Sequence, residues 1–210
     1  MLVSLRMPKR RRRSPGPAAA IAAVLLLATA ACSADPEADK PSTGSTEPTA
    51  EPTPLADYDT SAVTVVRAAF CDRVSGDAIA AAVADDASEG QSWQPGKRLP
   101  DGSAIGNEFG CAWTAGPVTA RAWVFAPPVT PERAKDLVDE VVGKKCQRLL
   151  ADDLGQPSVS QRCEGTETTG IYGLVGDAWV SCEISGLPSS GSEDLVGQWC
   201  VAVLEALRGT

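Results

Sequence analysis

From Tyr58 onward the apolar positions follow two periods. Between Thr130 and Leu150 they recur every three to four residues, so that Ala134, Leu137, Val138, Val141, Val142, Cys146, Leu149 and Leu150 share one side of a helix. Thr130-Pro131-Glu132 marks its start: a hydroxyl cap, a proline at the first helical position and an acid in the first turn. The same spacing returns near the C-terminus. There Leu195, Val196, Trp199, Cys200, Val203, Leu204 and Leu207 form an apolar stripe, with Ser190 or Ser192 as its cap. A shorter helix follows Ser75, with Asp77 in its first turn and Ile79 and Val83 on one face. Between the helices the period drops to two. "FGCAWTAG" and "VTARAWVFA" predict a hairpin turning at Ala115-Gly116-Pro117, and "GIYGLV" with "AWVSCEIS" a second turning at Gly176-Asp177. "PSVSQRCEG" reads as a weaker strand, and "ASEGQSWQPGKRLPDGSAIGNE" as a long Gly/Pro-rich loop.

The order is therefore helix, hairpin, helix, strand, hairpin, helix. A weak internal echo runs through it: a Cys-bearing strand with a tryptophan, then an amphipathic helix with a cysteine, twice over. This pattern predicts an α+β domain, an antiparallel sheet with helices packed on one face. Residues 58–210 are long enough for one such domain with a core of its own.

The segment before it has a different logic. Lys9 to Arg13 are five consecutive cations, followed by an uncharged, alanine-rich run from Ala18 to Ala31. At 14 residues the run is too short for a hydrocarbon core that needs about 20. Basic block, short apolar run and small residues at its end predict a secretory signal over residues 1–31. The arginines leave twin-arginine export open, although Ser14-Pro15 stands where that signal usually carries an aromatic residue. Cys32 then fits a lipobox, with Thr29 in place of the usual leucine three residues earlier. The alternative is ordinary cleavage that leaves Cys32 a free thiol. Lipidation predicts a membrane anchor, since two or more acyl chains hold a protein on a bilayer where one is marginal. Residues 32–57 then form a tether. Ser33 to Asp57 are mostly Pro, Thr, Ser, Ala, Glu and Asp, with Leu55 the only large apolar side chain. Such a composition predicts a disordered chain with an average span of roughly 25–30 Å.

Charge narrows the partners. Six of the 19 basic residues precede Cys32 and none of the 27 acids does, so the chain from Cys32 onward carries a net charge of −14. That argues against nucleic acid and against adhesion to anionic head groups. The absence of histidine excludes Ser-His-Asp and Cys-His catalysis and histidine-ligated metals. Neither a phosphate-binding glycine loop nor a nucleophile elbow is present. The acid pairs Asp85-Asp86, Asp152-Asp153 and Glu193-Asp194 are sequence neighbours, and neighbours rarely face one substrate. No enzyme activity and no cofactor are expected. The reading is a non-enzymatic binding or interaction domain, whose partner is an envelope protein or a small ligand. The alternative is a carrier of a small apolar ligand or lipid.

Setting Cys32 aside leaves Cys71, Cys111, Cys146, Cys163, Cys182 and Cys200, an even number suited to disulfides in an oxidising compartment. None has C-x-x-C spacing. Of the 15 pairings that six cysteines allow, the preferred set is Cys71–Cys111, Cys146–Cys163 and Cys182–Cys200. The internal echo keeps open a second set with Cys111–Cys146 and Cys71–Cys163. Among the tryptophans, Trp113, Trp123, Trp179 and Trp199 fall in strands or a helix and read as core. Trp93 sits in the long loop beside Lys97 and Arg98. An aromatic residue with two cations on an acidic domain is a candidate contact for an acidic partner or a sugar polymer, or else an anchor for the loop.

Signal, tether and "FCDRVSGDAIAAAV … FGCAWTAG" together resemble the secreted lipoproteins of actinobacteria that carry a Cys-containing α+β domain of unknown function. Cys71, Val74, Ser75, Ile79, Gly110, Cys111 and Trp113 match that pattern. The likeness covers mainly residues 70–125. It departs where Arg73-Val74 replaces the usual leucines and where the helix lacks a closing glycine. The resemblance implies a Cys71–Cys111 bridge and a place in the cell envelope, lipid-anchored on the outer face of the cytoplasmic membrane. It implies no activity.

Overall fold

A computed structural model describes residues 53–84, 90–143, 145–150, 154–188 and 191–209. The signal segment, Cys32, nearly all of the tether, Asp85-Asp86, Asp152-Asp153 and Ser190 lie outside the described residues. Seven strands form one sheet: β1 (Gln91–Trp93), β2 (Glu108–Ala115), β3 (Val118–Phe125), β4 (Cys146–Leu149), β5 (Ser158–Cys163), β6 (Thr168–Val175) and β7 (Ala178–Ser185). Their order across the sheet is β1-β2-β3-β7-β6-β5-β4, and every neighbouring pair is antiparallel. Three helices complete the domain: α1 (Gly76–Val83), α2 (Pro131–Val141) and α3 (Ser192–Leu207).

Local chemistry explains most of these boundaries. The Ser75 hydroxyl accepts the Ala78 amide at 3.2 Å and starts α1. Thr130 Oγ1 does the same for Arg133 at 3.3 Å, ahead of Pro131. The two long hairpins turn at Gly116 (φ +53°) and Gly176 (φ +63°), where a β-carbon would be strained. The expected serine cap of α3 is absent. Gly191 (φ +80°) precedes the helix and Ser192 is its first residue. The Ser192 hydroxyl instead meets Thr169 Oγ1 at 3.0 Å and accepts from Arg162 at 3.2 Å.

The helix predicted to run through Cys146 stops at Val141. Val142 is already extended (ψ 101°), and the chain turns through Gly143 into β4. Cys146, Leu149 and Leu150 continue the helical period by coincidence, and Leu150 is fully exposed. As an edge strand, β4 sets Cys146 directly opposite Cys163. The long loop also carries structure that its composition hid. β1 pairs with β2, and an isolated bridge between Arg98 and Ile105 folds residues 94–107 into an arm. At the other end, the packed domain begins before Tyr58: Leu55 is buried against α3 at Gly197.

Because successive residues of a strand point to opposite faces, the sheet has two distinct cores. On one face Ala120, Ala122, Val124, Ile171, Val180, Cys182 and Ile184 pack under α1 and α3 with Phe70, Val83, Trp199, Val203 and Leu204. Trp113 and Trp199 meet edge to face at 5.5 Å, and Trp199 Nε1 donates to the Arg121 carbonyl at 3.0 Å. This is the expected layer of helices on one face. α2 departs from it and packs on the other, where Val129, Ala134 and Leu137 cover Val159, Tyr172, Leu174 and Trp179.

Two disulfides close the structure, Cys71–Cys111 and Cys146–Cys163. Each is worth roughly 2–4 kcal/mol. The second set, Cys111–Cys146 with Cys71–Cys163, is therefore excluded. Cys182 and Cys200 are not bridged. Both thiols are fully buried between β7 and α3, in hydrogen-bonding contact with each other, and burial pushes the Cys200 thiol well above its usual value. The expected third staple is a packed thiol pair.

Candidate functional site

α2 covers only part of its face. Strand register lays the remainder out in cross-strand rows. One row contains Trp93, Gly110, Trp123, Ser181, Tyr172 and Val159. The next contains Gln91, Ala112, Arg121, Glu183, Gly170, Gln161 and Arg148, and so crosses all seven strands. A third row begins Thr114, Thr119, Ser185 and Thr168. The face thus changes from apolar to polar within two rows.

The polar row is held by the aromatic one. The Trp93 ring lies over Gly110, where a β-carbon would come within 2.1 Å of it. Trp93 Nε1 donates to Glu108 at 3.4 Å. Arg121 leans on this wall, its Cζ 5.7 Å from the Trp93 ring centre and 5.9 Å from that of Trp123. Two cation–π contacts of about 0.5–2 kcal/mol each fix the guanidinium. Among the described residues no carboxylate comes within 4 Å of it.

Beside Arg121, Glu183 is engaged elsewhere. The Tyr172 hydroxyl donates to Glu183 Oε1 at 2.5 Å, and Gln161 Nε2 donates to that hydroxyl at 3.4 Å and to the Val141 carbonyl at 3.2 Å. Burial pushes the Glu183 carboxyl up, against the opposing pull of the Tyr172 hydrogen bond and of Arg121. Burial, with Glu183 close by, likewise pushes the Tyr172 phenol up. Gln161 Oε1 and Ser181 Oγ are buried without a hydrogen-bond partner, an uncommon cost that a tightly packed core avoids.

Above this floor the arm projects its tip. An open groove of about 330 Å³ lies beside them, lined by Gln91, Pro100, Asp101, Ala112, Thr114, Thr119, Arg121 and Ser185. Arg98 donates from Nη1 to the Gly102 carbonyl at 3.0 Å and ties the tip to the stem of the arm. Asp101 accepts the Ser103 amide at 2.9 Å, which holds its carboxyl below the usual range and so ionised.

The residues singled out from sequence meet this site in different ways. Trp93 is 5% exposed and serves as the wall behind Arg121, not as a surface contact. Lys97 and Arg98 are exposed on the arm. Arg121 was not singled out. Its place in "VTARAWVFA" shows only a polar residue on an alternating strand, and nothing local reveals the two indoles that frame it. A second opening, about 420 Å³, runs between α1 and α3 and is largely apolar, with Ala78, Ala81, Ala82, Leu195, Trp199 and Val201 among its lining. Among the described residues no group of His, Cys, Asp or Glu is placed to hold a metal, and no helix is long and apolar enough to cross a membrane.

No protein-family model matches the chain, and no curated protein is significantly similar to it.

Proposed function

We propose that the chain is a lipid-anchored envelope protein that displays a non-enzymatic binding domain on a tether at the outer face of the cytoplasmic membrane. The observation that carries the binding half is the open polar groove beside Arg121. It is a groove with charged and hydroxyl side chains on a sheet closed by two disulfides. The anchoring half rests on Cys32 at the end of a signal-like segment and on the surplus of one cysteine. The likeness of Cys71 and Gly110-Cys111-x-Trp113 to actinobacterial secreted lipoproteins points the same way. The partner is an envelope protein or a small ligand, and the acidic charge disfavours nucleic acid.

Two measurements test the halves separately. Metabolic labelling with an alkyne-bearing palmitate analogue is expected to mark the wild type and not Cys32→Ala; an unlabelled wild type overturns the anchor. Native mass spectrometry of protein purified from its own envelope is expected to show a retained small molecule or a co-purifying protein. A bare apo mass in every preparation overturns the binding domain.

The apolar groove between α1 and α3 favours a second reading, a carrier of a lipid or other apolar ligand. A retained acyl-chain mass, lost on lining the groove with Ala81→Glu, distinguishes that reading from the first.

A further inference from the structure

Resting on the binding-domain reading, we propose that the groove beside Arg121 takes a small amphoteric molecule, one that carries both a carboxylate and an ammonium group, as a free amino acid or short peptide does. Two of the eight lining residues are charged, and they are of opposite sign: Arg121 on the sheet and Asp101 on the exposed arm. The two line the same groove yet do not form an ion pair. Each is fixed by other means, Arg121 by two indole rings and Asp101 by the Ser103 amide. Opposite charges held apart across a recess complement a ligand that bears both charges.

The chemistry on each side is specific. A guanidinium whose ring contacts fix its plane leaves its N–H edge to grip a carboxylate at two points. Glu183, next in the row, is occupied by the Tyr172 hydroxyl and does not compete at ion-pair distance. Asp101 supplies the ammonium partner. Thr114 and Thr119 share a hydroxyl contact at 3.1 Å and Ser185 donates to the Thr119 carbonyl at 3.4 Å, so the floor is polar but internally bonded, and Ala112 leaves room above it. The volume lies at the small end of ligand cavities, which fits a molecule of this size.

The test uses full-length protein and isothermal titration with a panel of free amino acids, each beside its deaminated acid and its decarboxylated amine. At least one amino acid is expected to bind saturably, with its acid and amine counterparts weaker by roughly ten- to a hundredfold. Arg121→Lys and Asp101→Asn are each expected to weaken that binding by a similar factor while leaving the unfolding temperature unchanged. Asp101 is on an exposed arm tip, so its replacement tests recognition without threatening the fold. The proposal is overturned if no amino acid binds, if the deaminated acid binds as tightly, or if Asp101→Asn leaves affinity intact. In the first case a different small molecule retained in the native mass spectrum keeps the binding-domain reading while removing this one.

Discussion

The two faces of the sheet use the same seven strands for different ends. Beneath α1 and α3 the central strands β3 and β7 present small or branched apolar side chains, and Ala120, Ala122, Val124, Val180, Cys182 and Ile184 are all at most 1% exposed; the polar residues Ser160, Arg162 and Thr169 share this face on β5 and β6. Beneath α2 the apolar packing ends at Tyr172 and Trp123 and gives way to Arg121, Glu183 and Gln161, with Gln161 Oε1 and Ser181 Oγ left unpaired. The first face supplies stability. The second retains polar groups that cost free energy to bury and leaves an open groove beside them. Such a division is expected where a rigid scaffold positions a site, because pre-organised polar groups bind only if something else holds the fold together.

The contrast is open to attack at several points. The largest effect belongs to the packed face. Trp199→Ala, which removes the ring buried against Trp113, is expected to cost about 3–5 kcal/mol in chemical denaturation. The same face predicts that in a Cys32→Ala background no thiol reacts with a disulfide reagent in the native protein, and that two react on unfolding, Cys182 and Cys200. Next is the aromatic wall of the other face. Gly110→Ala drives a methyl into the Trp93 ring and is expected to cost about 1–3 kcal/mol, with altered tryptophan fluorescence as Trp93 leaves Arg121.

A pH-dependent effect comes third. Glu183 has a raised carboxyl, so the folded state keeps its proton at pH values where the unfolded chain, near the ordinary 4.5, has lost it. Burying the ionised form therefore costs stability that is absent below 4.5 and grows as the pH rises through the folded value. Glu183→Gln is expected to match the wild type in acid and to gain on it in melting temperature as the pH is raised. A constant difference across that range removes the assignment. The smallest effect is expected at the site itself. Arg121→Met is expected to cost about 1 kcal/mol, the low end for two cation–π contacts on a half-buried side chain, while abolishing ligand binding.

Much of this architecture was legible from local signals. Ser75 and Thr130 announced two helices because a hydroxyl ahead of an apolar period satisfies free amides in any context. Gly116 and Gly176 announced the hairpins because a tight turn needs positive φ there. The Cys71–Cys111 and Cys146–Cys163 pairs were in the preferred set, although Cys146 reached its partner from an edge strand and not from a helix. What escaped was non-local. Helical spacing at Cys146, Leu149 and Leu150 cannot be told from a short strand until β5 is there to pair with it. Neither the packing of α2 on the second face nor the burial of Leu55 leaves a mark in periodicity. The bridging of Cys182 to Cys200 was expected from an even count, but counting does not place sulfur atoms. In the candidate site, Trp93 drew attention for its loop, whereas Arg121 became visible only once strand register set it beside two indoles and opposite the arm.

The most direct test of the contrast between faces is a map of backbone amide shifts on titrating the full-length protein with the amino acid that binds best. The account predicts saturable shifts around Gln91, Asp101, Ala112, Thr114, Thr119, Arg121 and Ser185, with α1 and α3 undisturbed. Shifts confined to Ala78–Ala82 and Leu195–Ala202 would place the ligand in the apolar groove and contradict it.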